Sequence, residues 1–383
     1  MISTKELPEM FEEFEEGRKN GFLYAKQLKE DGNILIGVFC TFFPTELTTA
    51  LGIQTISLCS FSNETVPDAE FDLPANLCPL IKSSYGFAKT QKCPYFYFAD
   101  LVVGETTCDG KKKMYEELEK YTDVYVMELP NRQSPAGKEL WKSEILRFKE
   151  YLETRFERVL SMDELKHAVH EKNEARKALH RFYDLMKLDP APINSWELYH
   201  VSAGASYNFD HMDYPAQIDA MIEKIMENYD PAKLKRKPRI LITGCPIGGA
   251  TEKIIHAVEN HGGVVVGYEN CGGKKQHADL VDENNPDIFD ALADRYLAIG
   301  CSCMTPNPNR IDLLNSMIDD YKADGVLEMI LHACHTYNVE SRAIQRLCHE
   351  VKEIPYLSIE TDYSDADIGQ LNTRIAAFIE MMQ

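Results

Sequence analysis

Ile34-Leu35-Ile36-Gly37-Val38-Phe39-Cys40, in the first half of the chain, and Ile240-Leu241-Ile242-Thr243-Gly244-Cys245, in the second, are apolar runs of strand length that stop on a cysteine. Short apolar runs bounded by turn residues mark strands buried on both faces, as in a parallel sheet. Working outward from the first, further strands are expected at 55–59, 101–105 and 123–128. Around the second they are expected at 264–268, 325–331 and 355–360, with helices over about 248–261, 286–297, 308–322, 338–351 and 366–382. This strand–helix alternation predicts an α/β chain built on two Rossmann-like (flavodoxin-like) parallel-sheet domains.

Between the two halves the pattern changes. Strand-like runs vanish from 134 to about 230, and Ser161-Met162-Asp163-Glu164 reads as a capping box that opens a long helix. That helix should run to about Lys187, where Asp189-Pro190-Ala191-Pro192 stops it. Another helix is expected over 213–228, and Lys233 to Arg239 reads as a basic, solvated hinge. The organisation expected is an N-terminal α/β domain over 1–133, a helical insertion over 134–235 and a C-terminal α/β domain over 236–383. The N-terminal domain carries a helical arm with Phe11, Phe14 and Phe22 as packing points.

The 383 residues are 44% hydrophobic and 27% charged, the balance of a globular protein long enough for two or three domains. A formal net charge of -20 argues against nucleic acid or an anionic membrane as the main partner. No apolar run approaches the ~18 residues a membrane span needs. Met1-Ile2-Ser3-Thr4-Lys5-Glu6-Leu7-Pro8 lacks the basic-then-apolar order of a secretory signal, so a cytoplasmic location is the expectation. Disulfides are rare in that reducing setting, and an odd number of cysteines, 11, cannot all pair.

Seven of those 11 cysteines, Cys40, Cys59, Cys108, Cys245, Cys271, Cys301 and Cys334, stand at or just past the end of a strand-like run. In open α/β sheets the ligand crevice lies outside the carboxyl ends of the strands, so thiolates placed there can converge. A single cysteine is ordinarily a small buried hydrophobe. That reading leaves the shared location unexplained, and soft thiolates in this number suggest iron–sulfur chemistry. Thr106-Thr107-Cys108-Asp109-Gly110 sets Cys108 at a helix start, where the dipole and Lys111, Lys112 and Lys113 favour the thiolate. Cys78-Pro79 and Cys93-Pro94 belong to the same constellation.

Gly244-Cys245-Pro246-Ile247-Gly248-Gly249 reads as a tight strand–helix turn. It is neither a dinucleotide fingerprint nor a Walker loop, and a phosphate cradle is the weaker reading. In Glu269-Asn270-Cys271-Gly272-Gly273 the glycines are expected to let backbone amides approach sulfur. Gly300-Cys301-Ser302-Cys303 is too tight for the usual structural zinc pair but can give a ligand to a cluster. In His332-Ala333-Cys334-His335, either histidine is a polar strand-end group or His335 is a proton donor. Cys59 and Cys245 are weaker ligand candidates, and Cys348, expected mid-helix, is assigned no role.

An ordered set of these motifs resembles the 2-hydroxyacyl-CoA dehydratase D-component family, which also contains benzoyl-CoA reductase subunits. The set is Cys40-Thr41-Phe42-Phe43-Pro44-Thr45-Glu46, Cys78 with Ser83, Thr107-Cys108-Asp109, Asn270-Cys271-Gly272-Gly273, Arg295-Tyr296 followed by Cys301, and His332-Ala333-Cys334. The resemblance runs over most of the chain and is weakest in the helical block. The stretches Cys78-Pro79, Cys93-Pro94 and Cys301-Ser302-Cys303 look like those of the double-cubane cluster proteins, which are homodimers.

The resemblance implies that Cys78, Cys108 and Cys334 hold a [4Fe–4S] cluster. A double-cubane [8Fe–9S] cluster would add Cys40, Cys271 and one of Cys301 or Cys303, with Cys93 in reserve. It also implies a separate ATP-hydrolysing activator with its own [4Fe–4S] cluster, which feeds low-potential electrons to a small-molecule reductase. Lys82, Tyr95, Lys274 and His335 are the side chains expected to handle protons, with His335 and Lys82 foremost. Three other readings compete. They are an (R)-2-hydroxyacyl-CoA dehydratase subunit with one [4Fe–4S] cluster, a non-catalytic electron carrier, and a zinc-stabilised structural protein.

Overall fold

The computed structural model describes residues 5–205 and 213–383. All the expected strands form: β1 (Leu35–Val38), β2 (Gln54–Ser57), β3 (Leu101–Glu105), β4 (Val124–Met127), β5 (Arg239–Gly244), β6 (Val264–Tyr268), β7 (Gly325–Leu331) and β8 (Tyr356–Thr361). They make two 4-stranded sheets in the orders β2-β1-β3-β4 and β6-β5-β7-β8, and every pairing is parallel. This is the flavodoxin-like order used twice. Its topological switch points fall between β1 and β3 and between β5 and β7, where ligands of such sheets bind.

The chain divides into two compact units, each with one sheet. The first runs to His170 and takes back Asp282–Leu297; the second is Glu171–Val281 with Ala298–Gln383. In the first unit Leu35, Ile36, Leu101, Val102 and Val103 are fully buried under flanking helices, each worth about 1.5–3 kcal/mol relative to exposure. The arm helix Glu16–Glu30 buries Phe22 in this unit; just before the helix, Phe14 stacks on that ring at 5.2 Å and Phe11 meets it edge-on at 6.3 Å. Buried Lys29 ion-pairs with Asp100, whose carboxylate also accepts from the Leu35 N–H at 2.8 Å, tying the arm to the start of β1.

The expected capping box is present: the Glu164 N–H donates to Ser161 Oγ at 3.1 Å and the Ser161 N–H to Glu164 Oε2 at 3.3 Å. The helix it opens, Met162–Asp184, ends in a tight turn at Leu185–Lys187, just before the proline pair. The helix Pro135–Phe156 packs in the first unit on Ile288–Leu297, where Lys138 pairs with Asp290 at 2.8 Å and Lys142 with Asp287 at 2.6 Å.

The basic hinge needs one correction. Arg239 is not solvated; it is 1% exposed, begins β5, and donates to the carbonyls of Tyr321, Leu188 and Met186. Its side chain ties the strand start to the chain that follows the long helix. Gly244, at the other end of β5, has φ +107°, and a Cβ there would lie 2.2 Å from the Met329 carbonyl oxygen of β7. Gly244→Ala is therefore expected to lower unfolding stability by at least ~2 kcal/mol, from left-handed strain and loss of the β5–β7 approach. Chemical denaturation would read that loss as a lower midpoint. Among the described residues, no helix is long and apolar enough to cross a membrane.

Candidate metal centre

In the first unit the thiols gather where the sheet order reverses. Cys40 follows β1 and Cys108 follows β3. Cys108 opens the helix Asp109–Leu118, and Cys78 opens the helix Pro79–Lys89. The two helix starts meet at Gly110, where a Cβ would come 2.7 Å from Ile81 Cδ1 and 3.1 Å from Leu77 Cδ1. A helix start favours the thiolate. Cys93 is placed differently: its Sγ caps its own short helix by accepting from the Phe96 N–H at 3.4 Å, and burial pushes its thiol up.

At the centre stands Lys111, 8% exposed. Its Nζ donates to the Phe39 carbonyl at 3.1 Å and lies 4.0 Å from Cys59 Sγ and 5.3 Å from the centre of the Phe39 ring. Burial opposes its charge, yet Cys59, Tyr115, Cys40 and Cys108, when ionised, outweigh burial and hold the ammonium well above the ordinary lysine range. Cys59, which the sequence ranks low, thus belongs to this group; its S–H donates to Phe39 O at 3.1 Å. The loop after Cys40 is fixed from behind. The Tyr296 hydroxyl donates to Glu46 Oε2 at 2.7 Å and accepts from the Thr45 N–H at 3.2 Å, and the Arg295 guanidinium lies 4.2 Å from the Tyr296 ring centre. Two motifs of the ordered set, Pro44-Thr45-Glu46 and Arg295-Tyr296, therefore meet inside one unit.

The second unit carries its own thiol group. Cys271 follows β6, and Cys334 follows β7 and opens the helix His335–Arg346. Ser302, between Cys301 and Cys303, shares a 3.0 Å hydrogen bond with Thr336 Oγ1, which lies 3.8 Å from Cys334 Sγ. A hydrogen bond from Cys303, then the charge of Lys275, pulls the Cys301 thiol down to about 6. Lys275, whose side chain is 0% exposed, pairs with Glu269 at 2.9 Å and donates to the Tyr337 hydroxyl at 2.9 Å. Burial opposes its charge, while Glu269, Cys271 and Cys301 raise it. Ala333, just before Cys334, is held in the left-handed region at φ 57°, the kind of backbone strain that collects at functional sites.

Beneath these thiols Arg310 is fully buried. It pairs with Glu328 at 2.9 Å, with Glu269 at 3.4 Å and with Glu340, and donates to Thr243 Oγ1 at 2.9 Å. Cys245 is also buried, its Sγ accepting from the Leu331 N–H at 3.2 Å. The glycine reading at Cys271 needs correction. Gly272 is needed for its φ of +85° and Gly273 because a Cβ would lie 2.4 Å from the Tyr268 carbonyl. Their N–H groups go to Gln276 and to the Asn270 carbonyl rather than to sulfur.

The two foremost proton-handling candidates have other surroundings. Lys82 Nζ is held by Glu70 at 2.6 Å and the Ala75 carbonyl at 2.8 Å, and His335 is exposed on the first turn of its helix. Cys348 is buried in the wide turn Leu347–Val351. Among the described residues, no group of three or more His, Cys, Asp or Glu side chains stands in metal-holding geometry. The chemistry of these side chains nonetheless fits an iron–sulfur cluster: thiols in each unit, three of them on helix starts, with buried ammonium groups near them that offset thiolate charge.

Comparison with known proteins places the chain in a family. Residues 40–382 match the family model of the 2-hydroxyglutaryl-CoA dehydratase D-component. The chain is 52% identical to the protein named "Putative dehydratase subunit YjiM" of Escherichia coli (strain K12), over 100% of both chains. It is 24% identical to the (R)-phenyllactyl-CoA dehydratase beta subunit of Clostridium sporogenes, over 97% of this chain and 98% of that one. A benzoyl-CoA reductase component of Thauera aromatica is 26% identical over 39% of this chain and 34% of its own length.

Proposed function

The chain belongs to the 2-hydroxyglutaryl-CoA dehydratase D-component family, and on that footing we propose that it is the iron–sulfur reductase component of an ATP-driven system. One observation carries the reading: each unit sets a group of thiols beside a buried lysine, Cys40, Cys59 and Cys108 by Lys111 in one and Cys271 and Cys301 by Lys275 in the other. We assign Cys40, Cys78, Cys108, Cys271, Cys334 and one of Cys301 or Cys303 as ligands of a double-cubane [8Fe–9S] cluster. Bound there, such a cluster supplies one-electron transfer at low potential. Cys301, with its lowered thiol, is the better donor of its pair.

The protein's share of the chemistry is electrostatic and steric. Lys111 and Lys275 offset thiolate charge in water-excluded surroundings, where such interactions are strong. Their donors are already committed to Phe39 O and to Tyr337 and Glu269, so they hold position instead of swinging out. Proton delivery is assigned to His335, exposed beside Cys334, and to Lys82, four residues past Cys78. The proposed partners are a separate ATP-hydrolysing activator with its own [4Fe–4S] cluster, a small-molecule substrate and a second copy of this chain. The proposed location is the cytoplasm.

A second reading has support in the full-length similarity to a phenyllactyl-CoA dehydratase subunit. The chain would then be an (R)-2-hydroxyacyl-CoA dehydratase subunit holding one [4Fe–4S] cluster and would need only three thiol ligands. Iron and acid-labile sulfide in anaerobically prepared protein decide between them: about eight irons per chain for the double cubane against about four for a single cluster. Colourless, iron-free protein would remove both.

A further inference from the structure

Glu105 is a group that nothing above uses. It ends β3, three residues before Cys108, and is 0% exposed. Among the described residues, neither of its carboxyl oxygens has a hydrogen-bond partner in another side chain or backbone group. Beside it the Tyr115 hydroxyl is likewise buried without a partner, and the Tyr115 ring packs so closely on Gly104 that a Cβ there would lie 2.2 Å from it. Lys111 and Tyr115 lie one helical turn apart on Asp109–Leu118, so both face the sheet. This buried carboxylate has only Lys111 and, more weakly, its own backbone N–H to support its charge, and burying a poorly supported charge is costly.

Among the described residues, the titratable groups that act on Glu105 and its neighbours are these. Lys111 and Tyr115 face it from the helix Asp109–Leu118, with Cys108 at that helix's start. Cys40 after β1 and Cys59 after β2 complete the set through their action on Lys111 and Tyr115. From β4 the register partner is apolar Met127, fully buried. Lys111 is the sole cation among them. Burial raises the Glu105 carboxyl to about 7 and Lys111 lowers it only in part, so small changes in local charge move it across neutrality.

We propose that Glu105 is the proton store of the first unit's thiol site, taking one proton from solvent for each electron the sulfur-bound centre gains and releasing it when that electron leaves for the substrate. The proposal rests on the iron–sulfur reading above. The electron comes from a low-potential one-electron donor, the carboxylate becomes a carboxylic acid, and the pocket's charge is unchanged by the pair. On discharge the electron passes to the substrate, the proton returns to solvent, and Glu105 is again ionised. Of the groups in the pocket, Glu105 is the one whose ionised form has least support, so it is where added negative charge is answered.

Two measurements on the full chain test this. In protein without bound iron, the infrared difference between wild type and Glu105→Gln should show a protonated carboxyl absorption that is present in acid and lost in mild alkali. In reconstituted protein, the reduction potential should fall with rising pH across neutrality for wild type. For Glu105→Gln, which is permanently neutral, it should stay flat at the wild type's acid value, with iron content unchanged. Glu105→Asp should keep a pH-dependent potential with a displaced midpoint, and it serves if the Gln variant does not fold. Equal slopes in wild type and Glu105→Gln would overturn the proposal, as would an infrared difference with no titrating carboxyl. A wild type that takes up no iron would overturn the iron–sulfur reading and the electron step together, while the infrared arm would still decide whether Glu105 holds the proton.

Discussion

Cys108→Ala should give pale, iron-poor protein when prepared without oxygen, while Cys348→Ala keeps the iron and brown colour of the wild type. The contrast follows from where the two sulfurs sit. Cys108 stands at the switch point of the first sheet, at a helix start, within the electrostatic reach of buried Lys111. Each of these favours the thiolate, the form that ligates iron. Cys348 is 0% exposed in the core of the second unit, where burial first and Glu328 second push its thiol up to about 12. A thiol of that kind stays protonated and does not ligate. Folding does not confuse the comparison. Removing one buried sulfur costs on the order of 1 kcal/mol, and Cys108, only partly buried, should cost less. The control carries the larger stability loss and the test variant the larger iron loss. Iron retained in Cys108→Ala, or lost in Cys348→Ala, would break the ligand assignment.

The sheets were legible because their signal is local. Each strand is an apolar run closed by a turn residue, and such runs need no partner to be recognised. The thiol positions were legible for the same reason, since the end of a strand can be read from the chain. The groups that charge the site were not, because their burial depends on helix rotation and tertiary packing. Lys111, Lys112 and Lys113 read as one basic run. The structure turns Lys111 into the core and leaves Lys112 and Lys113 outside, paired with Asp109 and Glu116. Lys274 and Lys275 divide in the same way. Burial lowers Lys274, whose Nζ lies 5.7 Å from the Tyr183 ring centre, while Lys275 joins the buried network. One residue is about 100° of helix rotation, finer than a sequence reading of helix bounds resolves. Glu105 and Arg310 gave no signal: one is the last residue of an apolar strand, and the other follows a Pro-Asn pair that reads as an exposed helix start.

Arg310→Met should cost about 3–5 kcal/mol of unfolding stability near neutral pH, the usual cost of removing one partner from a buried ion pair. The side chains left behind are not equally affected. Glu269 keeps Lys275 and Thr243, and Glu340, half-buried, keeps Asn307 at 2.8 Å. Glu328 keeps only the Tyr356 hydroxyl at 2.6 Å. The two inner carboxyls also differ in sign in the intact protein. Burial alone would raise Glu269, but Lys275, Arg310 and Thr243 bring it below the ordinary value of 4.5, so its stabilising contribution is present above that pH and lost as acid protonates it. Burial raises Glu328 despite Arg310, so any stability it contributes belongs to low pH and is lost as pH rises through its folded value. Without Arg310 that value rises further, and ionised Glu328 becomes the main defect at neutral pH. The deficit of the variant should therefore be largest near pH 7 and shrink toward pH 5, where Glu328 keeps its proton. Urea unfolding at several pH values measures it. A deficit below about 1 kcal/mol, or one that does not change with pH, would mean that water or backbone relaxation supports Glu328 in place of the guanidinium. It would also mean that the floor under Cys271 and Cys301 is held by packing instead of charge.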